Sequence, residues 1–124
     1  MGTGQNQAQR QALGAFGEAA AARYLLDHGM VLVDHNWRCA AGEIDLVLRD
    51  GKTLVFCEVK TRRSASFGSP FEAVTPAKAA RIRRLGAMWM ECHDVHAVEV
   101  RLDMVGIICP RLGTPQIDHV PGVG

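Results

Sequence analysis

Charged residues interrupt two apolar, strand-like segments of this chain. Asp45 lies within the segment that begins at Gly42, and Glu58 and Lys60 lie near the end of the next one. Strand interiors disfavour carboxylates because a charged group is costly to remove from water. A divalent cation would offset that cost, since Mg²⁺ and Mn²⁺ prefer oxygen ligands. The pattern therefore indicates a metal site that hydrolyses phosphodiester bonds, by neutralising phosphate charge and activating water.

The strand register decides whether these side chains meet. Asp50-Gly51 favours a two-residue hairpin with a type I′ turn. Asp45, Glu58 and Lys60 would then share one face, with Asp45 and Glu58 as diagonal neighbours about 7–8 Å apart. A three-residue loop would put Asp45 on the other face. The pairs that the turn predicts are Arg49 with Lys52, Val47 with Leu54, Asp45 with Phe56, and Glu43 with Glu58.

Basic residues are concentrated directly after these segments. Between Lys60 and Arg84, seven residues are basic and one is acidic, although the whole chain has a formal net charge of only +1. Local positive charge beside a metal site suits a polyanion such as nucleic acid. Taken alone, the pattern also fits a solvated helix face. The predicted phosphate-binding residues are Arg62, Arg63, Lys78, Arg81 and Arg84.

Composition is that of one globular domain. The chain has 124 residues, of which 48% are hydrophobic and 22% charged, so we predict a single domain over residues 1–124 with mobile ends at 1–5 and 121–124. No apolar run approaches the ~20 residues of a membrane helix, and no signal-peptide pattern is present, so we expect a cytoplasmic protein without a membrane partner. The four cysteines lack the Cys-x-x-Cys spacing of structural zinc sites.

The periodicity predicts an α/β fold with a central mixed sheet flanked by helices. The fourth strand would run parallel to the third because a helix connects them. Residues 62–74 and 106–115 are predicted loops, and the first could lie over the site. The predicted elements are a helix at 6–28, strands at 30–35, 43–49 and 53–61, a helix at 76–92, a strand at 98–102 and an edge strand at 116–120.

Each predicted helix has an apolar face. The first helix would bury Leu13, Phe16, Ala20 and Tyr24. Glu18 lies off this stripe, and spacing alone predicts that it is solvated. The second helix begins after Thr75, a favourable N-cap before proline, and would bury Ile82, Leu85 and Trp89.

The order of elements and the acidic motifs resemble the PD-(D/E)XK restriction-endonuclease-like superfamily. Within it, the chain is similar to archaeal Holliday junction resolvases and is identified as a member of the YraN-like family of uncharacterised bacterial proteins. The proline of the superfamily label is absent, since Ile44 precedes Asp45. The motifs that carry the likeness are Gly17-Glu18, Gly42-Glu43-Ile44-Asp45-Leu46, Phe56-Cys57-Glu58-Val59-Lys60-Thr61-Arg62, Phe67-Gly68 and the helix at 78–89.

The resemblance implies a role for each site residue. Asp45 and Glu58 would be the principal ligands of Mg²⁺ or Mn²⁺, with the Val59 carbonyl as a third and Glu18 completing the acidic cluster. Lys60 would orient the attacking water or stabilise phosphate charge, and a depressed pKa would also let it act as a base. The sequence leaves these roles of Lys60 open, and it fits either one or two metal ions.

Three functions from different classes remain as hypotheses. The leading one is a metal-dependent endonuclease that cleaves structured or branched DNA, and the resolvase resemblance implies a homodimer because paired incisions need two sites. The second is a nucleic-acid-binding module with an endonuclease fold and no physiological cleavage. The third is a protein-interaction factor in which Asp45, Glu58 and Lys60 form a structural ionic cluster. Whether the nucleic acid is DNA or RNA is open.

Overall fold

A mixed five-stranded sheet forms the centre of the protein, in the order β1-β2-β3-β4-β5. The computed structural model describes residues 7–64 and 75–123. Strands β3 and β4 are parallel and the other neighbours are antiparallel, so the predicted α/β class with a mixed sheet is confirmed. The elements are α1 (Gln7–Asp27), β1 (Val31–Cys39), β2 (Gly42–Asp50), β3 (Thr53–Arg62), α2 (Pro76–Cys92), β4 (Glu99–Ile108) and β5 (Gln116–Val120).

The two helices cover opposite faces of the sheet. Val55 and Cys57 pack in a cluster with α1, whereas Leu54 and Phe56 pack in a second cluster with α2. Because both faces are buried, the central strands are continuous apolar runs instead of alternating ones. Within residues 7–64 and 75–123, no helix combines the length and apolarity needed to span a membrane.

Helix α1 is rotated relative to its predicted orientation. Its buried residues are Leu13, Gly17, Ala21 and Leu25, and Phe16 is 50% exposed. Of the predicted stripe, Leu13 is buried and Ala20 and Tyr24 pack against the same cluster while partly buried, so the prediction is wrong for Phe16. The reason is the close approach at Gly17, where an added Cβ would overlap the Thr61 side chain. Glycine has no side chain to add to an apolar pattern, so the pattern predicted that larger neighbouring residues would be buried instead. Glu18, beside Gly17, consequently lies at the edge of the buried face.

Helix α2 is as predicted. Thr75 is the N-cap, and its side chain accepts a hydrogen bond from the Lys78 backbone N–H at 3.1 Å. Ile82, Leu85 and Trp89 are buried. A Cβ at Gly86 would lie 2.7 Å from the Phe56 ring, so this glycine sets how closely α2 approaches the sheet.

The turn between β2 and β3 differs from the predicted one. Asp50 pairs with Thr53, so the turn residues are Gly51 and Lys52 and not Asp50 and Gly51. Gly51 has a φ of 61°. Glycine with positive φ at the first turn position is the arrangement of a type II′ turn, whereas the predicted type I′ turn needs positive φ at both positions.

The hairpin register is therefore shifted by two positions. Leu46 pairs with Cys57 and Val47 with Phe56, so the predicted pairs Val47 with Leu54 and Asp45 with Phe56 are wrong. A shift of two residues is one full period of a strand and does not exchange its faces. The predicted pairs were therefore wrong, but Asp45 and Glu58 still lie on the same side of the hairpin, as expected.

Two strands are longer than predicted. Strand β1 continues to Cys39, so Trp37 belongs to the strand and not to the turn. Strand β4 runs from Glu99 to Ile108, which includes residues predicted as a loop, while Val98 precedes it and is 99% exposed. The glycine at 106 suggested a break, yet a buried parallel strand accommodates it. The edge strand at 116–120 is confirmed. The leader at 1–5 and most of the predicted loop at 62–74 lie outside the described residues.

A buried ionic cluster attaches the C-terminal segment to the sheet. Asp103 is 1% exposed, and its carboxylate accepts hydrogen bonds from Arg101 at 2.7 and 2.9 Å. His119 in β5 lies 2.7 Å from the same carboxylate, and the Gly122 N–H donates to it at 3.2 Å. The Val123 N–H donates to the Leu102 carbonyl at 2.8 Å. Gly122 and Val123 belong to the segment predicted to be mobile, and both are hydrogen-bonded to β4.

Candidate functional site

A cavity of about 280 Å³ lies at one end of the sheet and receives side chains from both helices. Glu18 enters from α1, and Lys78 and Arg81 enter from α2. The walls between them come from the ends of β2 and β3. The predicted site residues that line this cavity are Glu18, Asp45, Glu58, Val59, Lys60, Lys78 and Arg81. We call this space the acidic cavity.

A local irregularity in β2 positions Asp45. Ile44 packs on the α2 side and Leu46 on the α1 side, although residues two apart in a strand normally share a face. The paired region with β3 ends at Leu46, and the Asp45 Oδ2 atom instead accepts a hydrogen bond from the Val59 N–H at 2.8 Å. On the neighbouring strand, Asn36 has a φ of 51°, which is uncommon for a strand residue. Strands β1 and β2 thus both depart from regular extended geometry beside the cavity.

Glu58 has one partnered and one unpartnered oxygen. Its Oε1 atom lies 3.2 Å from the Lys78 Nζ and 3.8 Å from the Lys60 Nζ. Its Oε2 atom is buried and has no hydrogen-bond partner among the described residues. A buried acceptor without a partner lowers the stability of the fold by about 1–3 kcal/mol. A hydrogen-bond donor or a cation that bound to this oxygen would remove that cost.

Burial and mutual repulsion shift the pKa values of the acidic groups. The pKa of Asp45 is raised to about 6, first by burial and then by the charges of Glu18, Glu58 and Glu43, against the hydrogen bond from Val59. Burial also raises the pKa of Glu18, while a hydrogen bond from Asn36 opposes the shift. Carboxylates with raised pKa values in one cavity favour the binding of a cation, because the cation neutralises them all.

The chemistry of these donors fits a divalent metal ion. The set offers carboxylate oxygens from Asp45, Glu58 and Glu18 and the Val59 carbonyl, which are the hard ligands that Mg²⁺ and Mn²⁺ prefer. In the described part of the chain, no three His, Cys, Asp or Glu side chains already form a metal-binding group. Instead, the Lys78 ammonium group forms an ion pair with one of the Glu58 oxygens. Binding of a metal would therefore require the side chains to move closer together.

Lys60 faces the acidic cavity and is surrounded by charges of both signs. Its side chain is 38% exposed. The pKa of Lys60 is lowered by burial and by the neighbouring Lys78, and Glu58 and Asp45 oppose this shift. A lowered pKa makes the neutral amine more accessible near neutral pH, which a general base requires.

The predicted phosphate-binding residues separate into two groups. Lys78 and Arg81 line the acidic cavity, and Arg84 is exposed further along the same helix. Arg62 lies at the end of β3 beside Ile108. Arg63 is directed toward the Cys109 carbonyl, at a long distance of 3.5 Å. The structure therefore does not bring Arg62, Arg63 and Arg84 into the cavity.

Glu43 in the cavity wall and Asn36 beside Glu18 are polar residues that were not among the predicted site residues. Glu43 lines the cavity and forms an ion pair with Arg38 at 3.2 Å. Its position two residues before Asp45 was a usable signal in the sequence. Asn36 hydrogen-bonds Glu18, and nothing in the sequence pattern indicated it, because the contact depends on the packing of α1 against β1.

Comparison with known sequences finds relatives along nearly the whole chain. The chain is 57% identical over 115 residues to a UPF0102 protein of a Nocardioides species, covering 93% of each chain. It is 54% identical over 115 residues to a UPF0102 protein of Beutenbergia cavernae, covering 93% of this chain and 98% of the relative. A UPF0102 protein of Streptomyces griseus is 53% identical over 115 residues, covering 92% and 97%. Residues 17–107 match the description "Uncharacterised protein family UPF0102". The YraN-like family membership predicted from the motifs is thus confirmed, and the chain belongs to the UPF0102 family.

Proposed function

We propose that this protein is a divalent-metal-dependent endonuclease with a restriction-endonuclease-like fold, acting on structured or branched DNA. The observation that carries the proposal is the buried Oε2 atom of Glu58, which has no hydrogen-bond partner within residues 7–64 and 75–123, in a cavity shared with Asp45, whose pKa is raised to about 6. A structural ionic cluster would be expected to satisfy its buried oxygens with donors. An acidic cavity with an unused oxygen and basic side chains at its wall is suited to a metal ion and a phosphate.

The order of elements supports the proposed fold. A helix, three antiparallel strands, a crossover helix and a parallel strand place Asp45 and Glu58 at the same end of two neighbouring strands. Helix α1 supplies Glu18 from one face and α2 supplies Lys78 and Arg81 from the other. The site is therefore assembled from rigid elements, which fix the backbone positions from which its side chains extend.

Each cavity residue has a part in the proposed reaction. Asp45, Glu58, Glu18 and the Val59 carbonyl would hold Mg²⁺ or Mn²⁺, which when bound would supply charge neutralisation at the phosphate and a lowered pKa for water. Lys60 lies beside these ligands, where its Nζ either takes a proton from water or donates a hydrogen bond to the phosphate. Its pKa is lowered by burial and by Lys78, which favours the first role because a general base must be neutral.

Helix α2 is the proposed contact for the DNA backbone. Lys78 and Arg81 lie at the cavity and Arg84 follows one turn later on an exposed surface. Such contacts bind phosphate regardless of base sequence, which agrees with a substrate recognised by its shape. A homodimer would present two cavities for paired incisions across a branched substrate.

One observation favours a second candidate, a nucleic-acid-binding module without cleavage. Lys78 already neutralises Glu58 at 3.2 Å, and a permanent ion pair there would keep a metal ion away from the carboxylate. The same residues would then bind phosphate and have no catalytic part. Metal titration separates the two candidates, because only the nuclease requires a cation at Glu58.

The direct test is a cleavage panel. Duplex, single-stranded, flap and four-way-junction DNA and matching RNA are incubated with the protein and Mg²⁺ or Mn²⁺. We expect cleavage of branched DNA that stops when the metal is chelated and is lost in Asp45→Asn. The matched control is Asp118→Asn, which makes the same chemical change at an exposed residue of β5. Absence of cleavage on every substrate with either metal would refute the nuclease.

Metal binding should depend on both strand carboxylates and on pH. Asp45→Asn and Glu58→Gln each remove an anionic ligand, so Mn²⁺ affinity should fall by about tenfold or more in either variant. Since the Asp45 pKa is about 6, protons compete with the cation below that pH, and the affinity at pH 5 should be about tenfold weaker than at pH 7. Isothermal titration with Mn²⁺ measures both effects. Parental affinity in both variants would contradict the site.

Phosphate binding should depend on the arginines of α2. Combining Arg81→Ala with Arg84→Ala should weaken binding to all duplex sequences alike and reduce the log-log salt slope by about 0.9 for each lost contact. Stability should change little, because neither arginine is buried. Fluorescence anisotropy across a salt series measures the slope. The parental slope in the double variant would show that α2 does not face the DNA.

A further inference from the structure

Lys78 has an unfavourable position in its helix. It lies in the first turn of α2, three residues after the N-cap Thr75, and that turn contains no acidic residue. The positive end of the helix dipole disfavours a cation there by about 0.3–1 kcal/mol. Its side chain is nevertheless only 18% exposed and reaches into the acidic cavity. Helix stability therefore does not account for a lysine at this position.

Lys78 is the closer of two ammonium groups at one oxygen. Its Nζ lies 3.2 Å from Glu58 Oε1, and the Lys60 Nζ lies 3.8 Å from the same atom. The second oxygen of Glu58 has no partner among the described residues. Two mutually repelling cations thus share Oε1 while Oε2 has none. In a purely structural cluster, a buried carboxylate oxygen is normally hydrogen-bonded.

We propose that Lys78 neutralises Glu58 while no divalent cation is bound, and that the cation displaces its ammonium group, which then binds a phosphate of the DNA. This inference rests on the proposed nuclease function and specifies how its cavity is occupied before and after metal binding. The lysine stem is flexible and its ammonium carries three donors that suit a phosphate. The exchange keeps Glu58 paired at every stage, which avoids a buried, uncompensated carboxylate.

The first experiment measures metal binding to the full chain without nucleic acid. Lys78→Met keeps the length of the side chain and removes its charge. It should bind Mn²⁺ about fivefold more tightly than the parent, because the cation no longer displaces an ion pair. Its melting temperature without metal should be lower, because Glu58 loses its nearer partner, and Mn²⁺ should raise that temperature more than in the parent.

The matched control is Arg81→Met. Arg81 carries the same charge and lines the same cavity, but in the described part of the chain it makes no ion pair with Glu58. This variant reports the general effect of removing a positive charge near the cation. The proposal requires a clearly larger gain in Mn²⁺ affinity for Lys78→Met than for Arg81→Met.

The second experiment measures phosphate binding with and without metal. Duplex affinity is followed across a salt series with Mg²⁺ in a Lys60→Ala background, which we expect to bind without cleaving. Adding Lys78→Met should reduce the salt slope by about 0.9 when Mg²⁺ is present. It should leave the slope unchanged without a divalent ion, because Lys78 is then held by Glu58. Equal slopes with Mg²⁺ would overturn the transfer to phosphate.

The outcomes distinguish this proposal from the proposed function. If the parent binds Mn²⁺ and cleaves, but Lys78→Met gains no more affinity than Arg81→Met, the exchange is wrong and the nuclease stands. If the parent neither binds Mn²⁺ nor cleaves, both proposals are wrong. Should Lys78→Met fail to fold, Lys78→Arg replaces it, since a bidentate arginine pairs more firmly with Glu58 and should weaken Mn²⁺ binding. Tighter binding in Lys78→Arg would then overturn the exchange.

Discussion

Replacing Lys60 with alanine should reduce DNA cleavage by about 10²-fold or more, as expected for the loss of a contact made in the transition state. The Lys60 ammonium faces the acidic cavity with Asp45 and Glu58. Affinity for Mn²⁺ and for DNA should remain near the parental values, so the loss should appear in kcat and not in KM. Single-turnover cleavage of a branched DNA, together with Mn²⁺ titration, measures the two quantities separately.

The structure also predicts that Lys60→Ala remains folded. Lys78 lies nearer to Glu58 than Lys60 does, so the carboxylate keeps a partner without metal. The matched control is Lys52→Ala, which removes an exposed lysine in the β2–β3 turn and should cleave like the parent. Parental cleavage by Lys60→Ala would end its catalytic assignment. A large fall in metal-free melting temperature with normal cleavage would make Lys60 a structural residue.

Removing the buried carboxylate of Asp103 should cause the largest loss of stability. Asp103→Ala leaves Arg101 and His119 without their shared partner and deprives the Gly122 N–H of its acceptor. Breaking a buried ion pair by removing one member costs about 3–5 kcal/mol. Urea unfolding of parent and variant measures the free energy directly. A loss below about 1 kcal/mol would show that the cluster is not structural.

The contribution of Asp103 to the stability of the protein should also depend on pH. Its pKa is lowered by the hydrogen bonds from Arg101, His119 and Gly122, which outweigh burial. Because the pKa is lowered, the contribution of Asp103 to the free energy of unfolding is complete above its ordinary pKa of 3.8 and is lost as the pH falls through the lowered pKa. The control is Asp50→Ala, which removes the other partner of Arg101 at a more exposed position and should cost about 0–1 kcal/mol.

The sequence correctly predicted elements in which pattern and local chemistry agree. Helix α2 follows from the Thr75 cap, the proline at 76 and the apolar residues Ile82, Leu85 and Trp89, all of which act within a few residues of one another. The parallel pairing of β3 with β4 follows from the intervening helix. Such features need no knowledge of distant contacts.

The errors lie where a contact between distant elements decides the outcome. The face of α1 is set by Gly17 against Thr61, a close approach that only the assembled fold reveals. The hairpin turn at Gly51 and Lys52 was misplaced by one residue, because Asp-Gly and Gly-Lys both supply a glycine with positive φ. Strand β1 continues past the left-handed Asn36, because pairing with β2 keeps one register on both sides of it, at His35 with Leu46 and Trp37 with Ile44.

For the candidate site, the residue pattern alone was enough to predict the chemical types and their strands: Asp45 on β2, and Glu58 and Lys60 on β3. These residues stand out because charge within an apolar strand is costly wherever the strand is placed. The tertiary structure decided which other groups reach them. It paired Lys78 with Glu58 Oε1 and gave Oε2 no partner in the part of the chain that the structure describes, since the distance between α2 and β3 depends on the packing of the whole sheet. The periodicity of a sequence shows which residues of a helix or strand face the core. The distances between helices and strands are set only when all of them pack together.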